Sequence, residues 1–261
     1  MPAEAVMPQL SRRHLSGRIP DPVLSSRTMA RRDAGDVVRG NPIFAGLPDG
    51  DLTALAAAAR DVSYRAREYV FLEGEPPVSF CLVKRGHVKI VRHAKSGKDV
   101  VLELLGLGEA FGGVAVIERR PYPASAQATE PTVVTKIPQD LIVGLADRHP
   151  SIVREMALMI GRRLRSAHES VTSLASEPVE ARLAGVLLRI AEREGVRGTG
   201  GVTLPMQLTR QSLADMTGTT VETAIRVLGR WQRDGVIRDD GGHLVIPDLD
   251  ALRERLDAAE G

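Results

Sequence analysis

Glu222 and Arg226 stand four residues apart in the stretch Thr209–Leu228, TRQSLADMTGTTVETAIRVL. On a helix that spacing places both side chains on one face. An arginine offers two parallel donors that fit O6 and N7 of guanine, and a glutamate can accept from N4 of cytosine. With Val221 and Ile225 on the same outer face, these four residues are the candidates for reading base edges. Thr209, Arg210, Gln211, Thr220 and Thr223 are placed to bond phosphates, contacts that fix register without carrying sequence information.

Such residues need two helices and a tight turn. Thr209 suits the N-cap of a first helix whose inward residues are Leu213, Ala214 and Met216. Thr217-Gly218-Thr219 forms the turn, where Gly218 can take a positive φ without steric cost. Thr219-Thr220-Val221-Glu222 has the form of a capping box. It opens a second helix with Ala224, Val227, Leu228 and Trp231 facing inward. This is the plan of a helix-turn-helix, in which the first turns of the second helix enter the major groove of DNA. Gly235-Val236-Ile237 and His243-Leu244-Val245-Ile246, around Asp239-Asp240-Gly241-Gly242, predict two short strands that make a wing. The alternative is a helical hairpin used for protein contacts, in a small-molecule sensor whose C-terminal domain engages protein partners. Salt separates the two, because binding through several phosphates falls steeply as salt rises.

The upstream sequence predicts an α+β chain. Residues 49–60 put Leu52, Leu55, Ala56 and Ala59 on one helical face. From Val62 to Ile137 short apolar runs alternate with glycine turns, as in a sandwich or rolled barrel. Over 151–176 the residues Val153, Ala157, Ile160, Leu164, Ala167, Val171 and Leu174 recur in steps of four and three. That is a seam for a partner helix, and it predicts a homodimer. A second stripe, Ile152, Met156 and Met159, fits against the strand domain. The competing interpretation is one buried helix in a monomer. Val179 to Glu194 is another amphipathic helix, followed by the glycine-rich stretch Gly195 to Gly201. The expected organisation is a basic extension over 1–40, a sensor domain over 41–148, a dimerisation helix over 149–176, a DNA-binding domain over 177–250 and a tail over 251–261. The extension holds seven arginines and few large apolar residues. It fits a solvated tail, a phosphate-binding arm or a lid.

Composition excludes several classes. Lys and Arg number 35 against 33 Asp and Glu, so the whole chain has no basic signature, and local arrangement must carry the DNA argument. One cysteine, Cys81, rules out an internal disulfide framework and a multi-thiolate zinc or iron–sulfur site. A lone thiol suits a reducing cytoplasm. No apolar run reaches the ~18 residues of a membrane span. No nucleophile–base pair, metal-ligand spacing or phosphate loop followed by Lys-Ser/Thr points to an enzyme or to a bound metal, so no catalytic residue is expected.

Strand roll, long helix and winged helix-turn-helix in this order resemble the Crp–Fnr superfamily of bacterial transcription regulators over roughly residues 41–250. The most specific part is LTRQSLADMTGTTVETAIRVLGRWQRDGVI, residues 208–237. The resemblance implies a cyclic-nucleotide-binding-like β-roll, a dimer and an RNA polymerase partner. It also implies that Glu222 and Arg226 read a central G·C pair in TTGA-like half-sites. Val221 stands where the cyclic-AMP receptor branch has another base-reading arginine, and the oxygen-responsive branch has Val there. The segment Val196 to Pro205 matches the place where family activators touch polymerase; activation and repression both stay open.

Within that resemblance, Leu107 to Gly113 matches the start of the family's phosphate-binding cassette, making Gly108, Phe111, Gly112, Gly113, Ala124 and Ser125 the effector-pocket candidates. Backbone N–H groups in such a turn can cradle an anion. The cyclic-nucleotide version needs an acid after the glycine and an arginine before Ser-Ala, where this chain has Gly113 and Ala124. Without the guanidinium the bidentate anion contact is lost, which argues against cyclic AMP. PYPASAQA, residues 121–128, is similar to the branch that responds to nitrogen oxides, in which haem has been proposed. His14, His87, His93, His149 and His168 are the candidate axial ligands, with no spacing that singles one out. Cys81, in an apolar strand, fits an inert buried thiol.

Overall fold

The computed structural model describes residues 34–93 and 99–257. Two short helices, α1 (Ala34–Arg39) and α2 (Asp49–Ala58), precede eight strands. These are β1 (Arg60–Tyr64), β2 (Tyr69–Phe71), β3 (Ser79–Arg85), β4 (Val88–His93), β5 (Asp99–Leu105), β6 (Ala110–Phe111), β7 (Ser125–Ala128) and β8 (Thr132–Pro138). A helix of six residues, α3 (Gly113–Glu118), lies between β6 and β7. The strands form two four-stranded antiparallel sheets, ordered β1-β8-β3-β6 and β2-β7-β4-β5. Apolar side chains of both sheets (Phe71, Val83, Val88, Leu105, Phe111, Val134) meet inside the roll.

The other face of the first sheet is covered by helices. Here Phe80, Leu82 and Ile137 pack with Phe44 and Leu55, with α4 (Gln139–Arg148) and with the start of α5 (Pro150–Ser176). The expected extension is shorter at this end than residues 1–40. Ala34–Arg39 is helical, and Val37 and Val38 are buried in this core. Residues 1–33, and the arm or lid expected of them, lie outside the described residues.

α5 runs for 27 residues, about 40 Å at 1.5 Å per residue. Its first turns anchor it, because Ile152 and Met156 are buried against the roll and Met159 packs beside them. Further along, Arg163 pairs with Glu103 at 2.7 Å and donates to the carbonyl of Ala110, tying the helix to β5 and β6.

The C-terminal domain begins with α6 (Val179–Glu194) and continues through β9 (Val196–Gly198), β10 (Gly201–Thr203), α7 (Arg210–Met216), α8 (Val221–Arg233), β11 (Arg238–Asp240), β12 (His243–Ile246) and α9 (Leu249–Asp257). Two expectations change. The wing is a four-stranded sheet, β11-β12-β10-β9, because the glycine-rich stretch folds as a hairpin rather than a simple break. Val236 and Ile237 are buried under Trp231 instead of forming the strand, which starts at Arg238. The expected tail is also helical through Asp257, and its Leu252 is fully buried against the domain core. Leu249, Leu252 and Leu256, at i, i+3 and i+7, were the available sign of it. No helix among the described residues is long and apolar enough to cross a membrane.

Candidate nucleic-acid interface and effector cassette

The helix pair takes its shape from two threonine caps. The Thr209 side chain accepts from Ser212 N at 3.0 Å, and the Thr220 side chain accepts from Thr223 N at 3.2 Å. The second cap corrects the expected capping box. Thr220, rather than Thr219, is the N-cap, and Thr223 rather than Glu222 holds the third helical position. Thr219 instead uses its own N–H to close the turn on Ala214 O. Gly218 sits at φ +60°, as a tight turn there requires.

Opposite faces of α8 have different fates. Ala224, Leu228 and Trp231 are fully buried and Val227 nearly so. Trp231 Nε1 donates to Glu180 Oε1 at 2.7 Å, and Arg230 pairs with the other oxygen of that carboxylate. Arg182 of α6 donates to Thr217 O at 2.8 Å, fixing the turn from behind. Glu180 and Arg182 lie about fifty and thirty-five residues from their partners, so no local pattern could reveal them. On the outward face Glu222, Ile225 and Arg226 are exposed. Val221, expected among them, is half-buried against the domain core. Thr209, Gln211 and Thr220 are exposed, Arg210 and Thr223 half-buried, and Gln211 donates to Asp215 at 2.7 Å.

All seven seam positions of α5 are exposed, with Val153 at 50%, Leu164 at 54% and Val171 at 65%. That is a large apolar stripe for a surface helix, the mark of an interaction site.

The cassette is crowded. Gly112 adopts φ +74°, and a Cβ there would meet the ring of Tyr122 at 3.2 Å. Tyr122 stacks on Phe71 with ring centroids 3.7 Å apart, and its hydroxyl donates to Ser79 O. At Gly113 a Cβ would lie 2.8 Å from Met156 Cε and 2.9 Å from Phe80. Phe111, Ala124 and Ser125 are buried, and Ser125 Oγ accepts from Glu73 N. Gly108 is half-buried at φ +79°, its carbonyl accepting from Asn41 Nδ2.

The described histidines offer haem no imidazole inside the roll. His87 Nδ1 and Nε2 each lie 2.6 Å from a carboxylate, of Glu130 and Glu194. Burial alone would push its pKa down, but the two carboxylates outweigh that and hold it up at about 9. His149 bonds Asp51, and His168 is exposed on α5. His14 and the His93 side chain lie outside the described residues. Among the described residues no cluster of His, Cys, Asp and Glu converges as metal ligands would. Cys81 is fully buried, which pushes its thiol up to about 11 and away from thiolate chemistry.

A strand roll leading through a long helix to a winged helix-turn-helix defines the class of effector-binding transcription regulators. Residues 61–149 match the cyclic nucleotide-binding domain family, and residues 181–255 match the Crp-like helix-turn-helix domain family. A CRP-like cAMP-activated global transcriptional regulator of Mycobacterium tuberculosis is 30% identical over 216 residues, 82% of this chain and 95% of that protein. An anaerobic regulatory protein of Haemophilus influenzae is 28% identical over 187 residues, 72% of each chain. Among solved structures, FixK2 from Bradyrhizobium japonicum superposes with a TM-score of 0.67 at 22% identity, covering 75% of this chain and 96% of that one, a likeness of fold. The chain belongs to the Crp/Fnr family of transcription regulators, with a DNA-binding helix-turn-helix and an effector-binding domain, and is not an enzyme.

Proposed function

We propose that this regulator acts in the cytoplasm as a homodimer joined along α5, reads a palindrome of TTGA-like half-sites with α8, and answers to a signal at the roll other than cyclic AMP. The observation that carries this reading is the division of α8. Its inner face is locked by Trp231 and Leu228, while Glu222, Ile225 and Arg226 stand exposed at the end that a helix-turn-helix presents to the major groove. Arg226 takes guanine and Glu222 takes cytosine in each half-site, with Ile225 and the flank of Val221 against neighbouring base edges. Thr209, Arg210, Gln211, Thr220 and Thr223 hold phosphates.

The exposed seam from Val153 to Leu174 supports the dimer, because a second α5 buries it and gives the pair the two-fold symmetry of a palindrome. The relative from Mycobacterium tuberculosis is by name cAMP-activated, but this cassette differs where that ligand class needs charge. Ala124 supplies no guanidinium, and Met156 and Phe80 leave no room for an acid at position 113. The exposed strand β9, with the turn that follows it, is the surface offered to RNA polymerase.

Selection of bound duplexes from a random pool by the full chain tests the reading. A palindrome with G·C-centred half-sites about one helical turn apart is expected. Recovery of no motif, both without effector and with haem or nitric oxide added, overturns it.

A further inference from the structure

The end of α6 is bound to the roll by a line of alternating charges. Glu130 Oε1 lies 2.6 Å from His87 Nδ1, and His87 Nε2 lies 2.6 Å from Glu194 Oε2. The other oxygen of Glu194 bonds Arg193 at 2.9 Å, and Arg193 reaches Glu109 at 3.4 Å while donating to Leu104 O at 2.7 Å. Glu109 belongs to the cassette and accepts from Gly106 N at 2.7 Å. The line therefore joins the cassette and two turns of the roll to the DNA-binding domain. The His87 end of the line is largely shielded from solvent, where such charged contacts are strong when every member is paired, whereas the Arg193–Glu109 end is more exposed.

Two further features fit the same contact. Gly106 lies so close to Glu194 that a Cβ would stand 2.4 Å from Oε2 and 2.6 Å from Oε1, although its backbone is not left-handed. Its missing side chain makes room for Glu194 rather than for a turn. Beside it Leu104 of β5 is buried within the apolar core of the DNA-binding domain.

The docked position has a consequence for α8. Thr220, Val221 and Glu222 line the same groove as Ala167, Val171 and Leu174 of α5. The turn before α8 rests on the last seam residue, for a Cβ at Gly218 would lie 2.6 Å from Leu174 Cδ2. A partner helix on the seam would thus face the reading end of α8.

We propose that this charge line is a latch that holds the DNA-binding domain against its own roll, in an arrangement that withholds α8 from DNA until the contact opens. The inference rests on the dimeric, DNA-reading function proposed above. It places control at Glu109, where a change in the cassette reaches Arg193 and Glu194 directly.

Gly106→Ala wedges the contact, and Glu194→Gln removes its central charge without changing size. Neither residue is among those proposed to touch DNA. Full-length wild type and both variants are compared by hydrogen exchange over residues 101–107 and 204–216, and by titration with the selected duplex. Loss of exchange protection by about tenfold or more in these segments is expected, with the remaining roll core unchanged. DNA affinity without effector should rise by about tenfold if the closed form holds nine-tenths of the population. The double variant should gain no more than the stronger single one. Unchanged protection in both variants overturns the latch and leaves the DNA-reading proposal standing. Lost protection with equal or weaker DNA binding overturns the gating role. Failure of wild type and variants alike to bind any duplex overturns the DNA-reading proposal and the gating role together.

Discussion

Nε2 of His87 lies 2.6 Å from Oε2 of Glu194, across 107 residues of sequence, so that a turn of the roll and the last residue of α6 meet at one proton. The contact gives the docked arrangement a pH dependence. His87 is faced by Glu130 from the β7–β8 turn and by Glu194 from α6, with Arg193 and Glu109 next along the line. Its pKa stands at about 9, above the ordinary 6.5, so its stabilisation is full below the ordinary value and is lost as pH rises through 9. Glu194 is shifted the other way: burial would raise it, but the His87 hydrogen bond and charge lower it further. Its share is full above the ordinary carboxylate value and is lost on acidification. Exchange protection over 101–107 should therefore be highest between the ordinary carboxylate value of 4.5 and the ordinary imidazole value of 6.5, and decline as pH rises from there through 9, with the alkaline decline absent in His87→Gln. A flat profile in the wild type would refute this.

Arg226→Ala should relax discrimination at the central G·C pair by about 1–3 kcal/mol, the usual worth of a bidentate base contact. Arg210→Ala should weaken all duplexes alike and reduce the salt slope by about one. Titrations of matched and mismatched duplexes at two salt concentrations separate the roles.

Leu164→Glu should leave the isolated fold intact, because Leu164 is 54% exposed in the single chain. It should lower dimer affinity by a hundredfold or more (about 3 kcal/mol), since an unpaired carboxylate would be buried in the seam. Sedimentation equilibrium gives the constant directly.

Thr220→Ala removes the cap that starts α8 and should cost about 0.5–2 kcal/mol of stability. Trp231→Ala, which empties a fully buried site and removes one of the two partners of Glu180, should cost about 3–5 kcal/mol. Denaturant titration measures both, and a cap effect larger than the tryptophan effect would contradict the packing described for α8.

Gly113→Glu should fail to create cyclic-AMP binding and should destabilise the roll, by about 1–3 kcal/mol for the overpacking alone. The cause is the approach of Met156 and Phe80 to that position. Calorimetry with cyclic AMP and a thermal melt check the two halves of the prediction.

Local sequence determined a good deal of this molecule. Threonine caps, the glycine of a tight turn and inward apolar positions act over a few residues, so the two helices of the reading unit were legible from Thr209 to Trp231. The stripe Ile152, Met156 and Met159 foretold the face of α5 that meets the roll, because helical period alone selects it. The register of the cap, Thr220 rather than Thr219, was decided by the backbone path, since both threonines carry the same hydroxyl. What the tertiary structure alone decided is contact between distant groups. Glu180 under Trp231, Arg182 behind Thr217 and His87 between Glu130 and Glu194 join residues whose sequence surroundings look like ordinary charged surface. Gly106 and Gly113 likewise read as turn glycines, and only packing shows that Glu194, Met156 and Phe80 occupy the space a side chain would take. Helix and turn preferences are short-range and written residue by residue, whereas ion pairs and close approaches depend on where the folded backbone brings remote side chains.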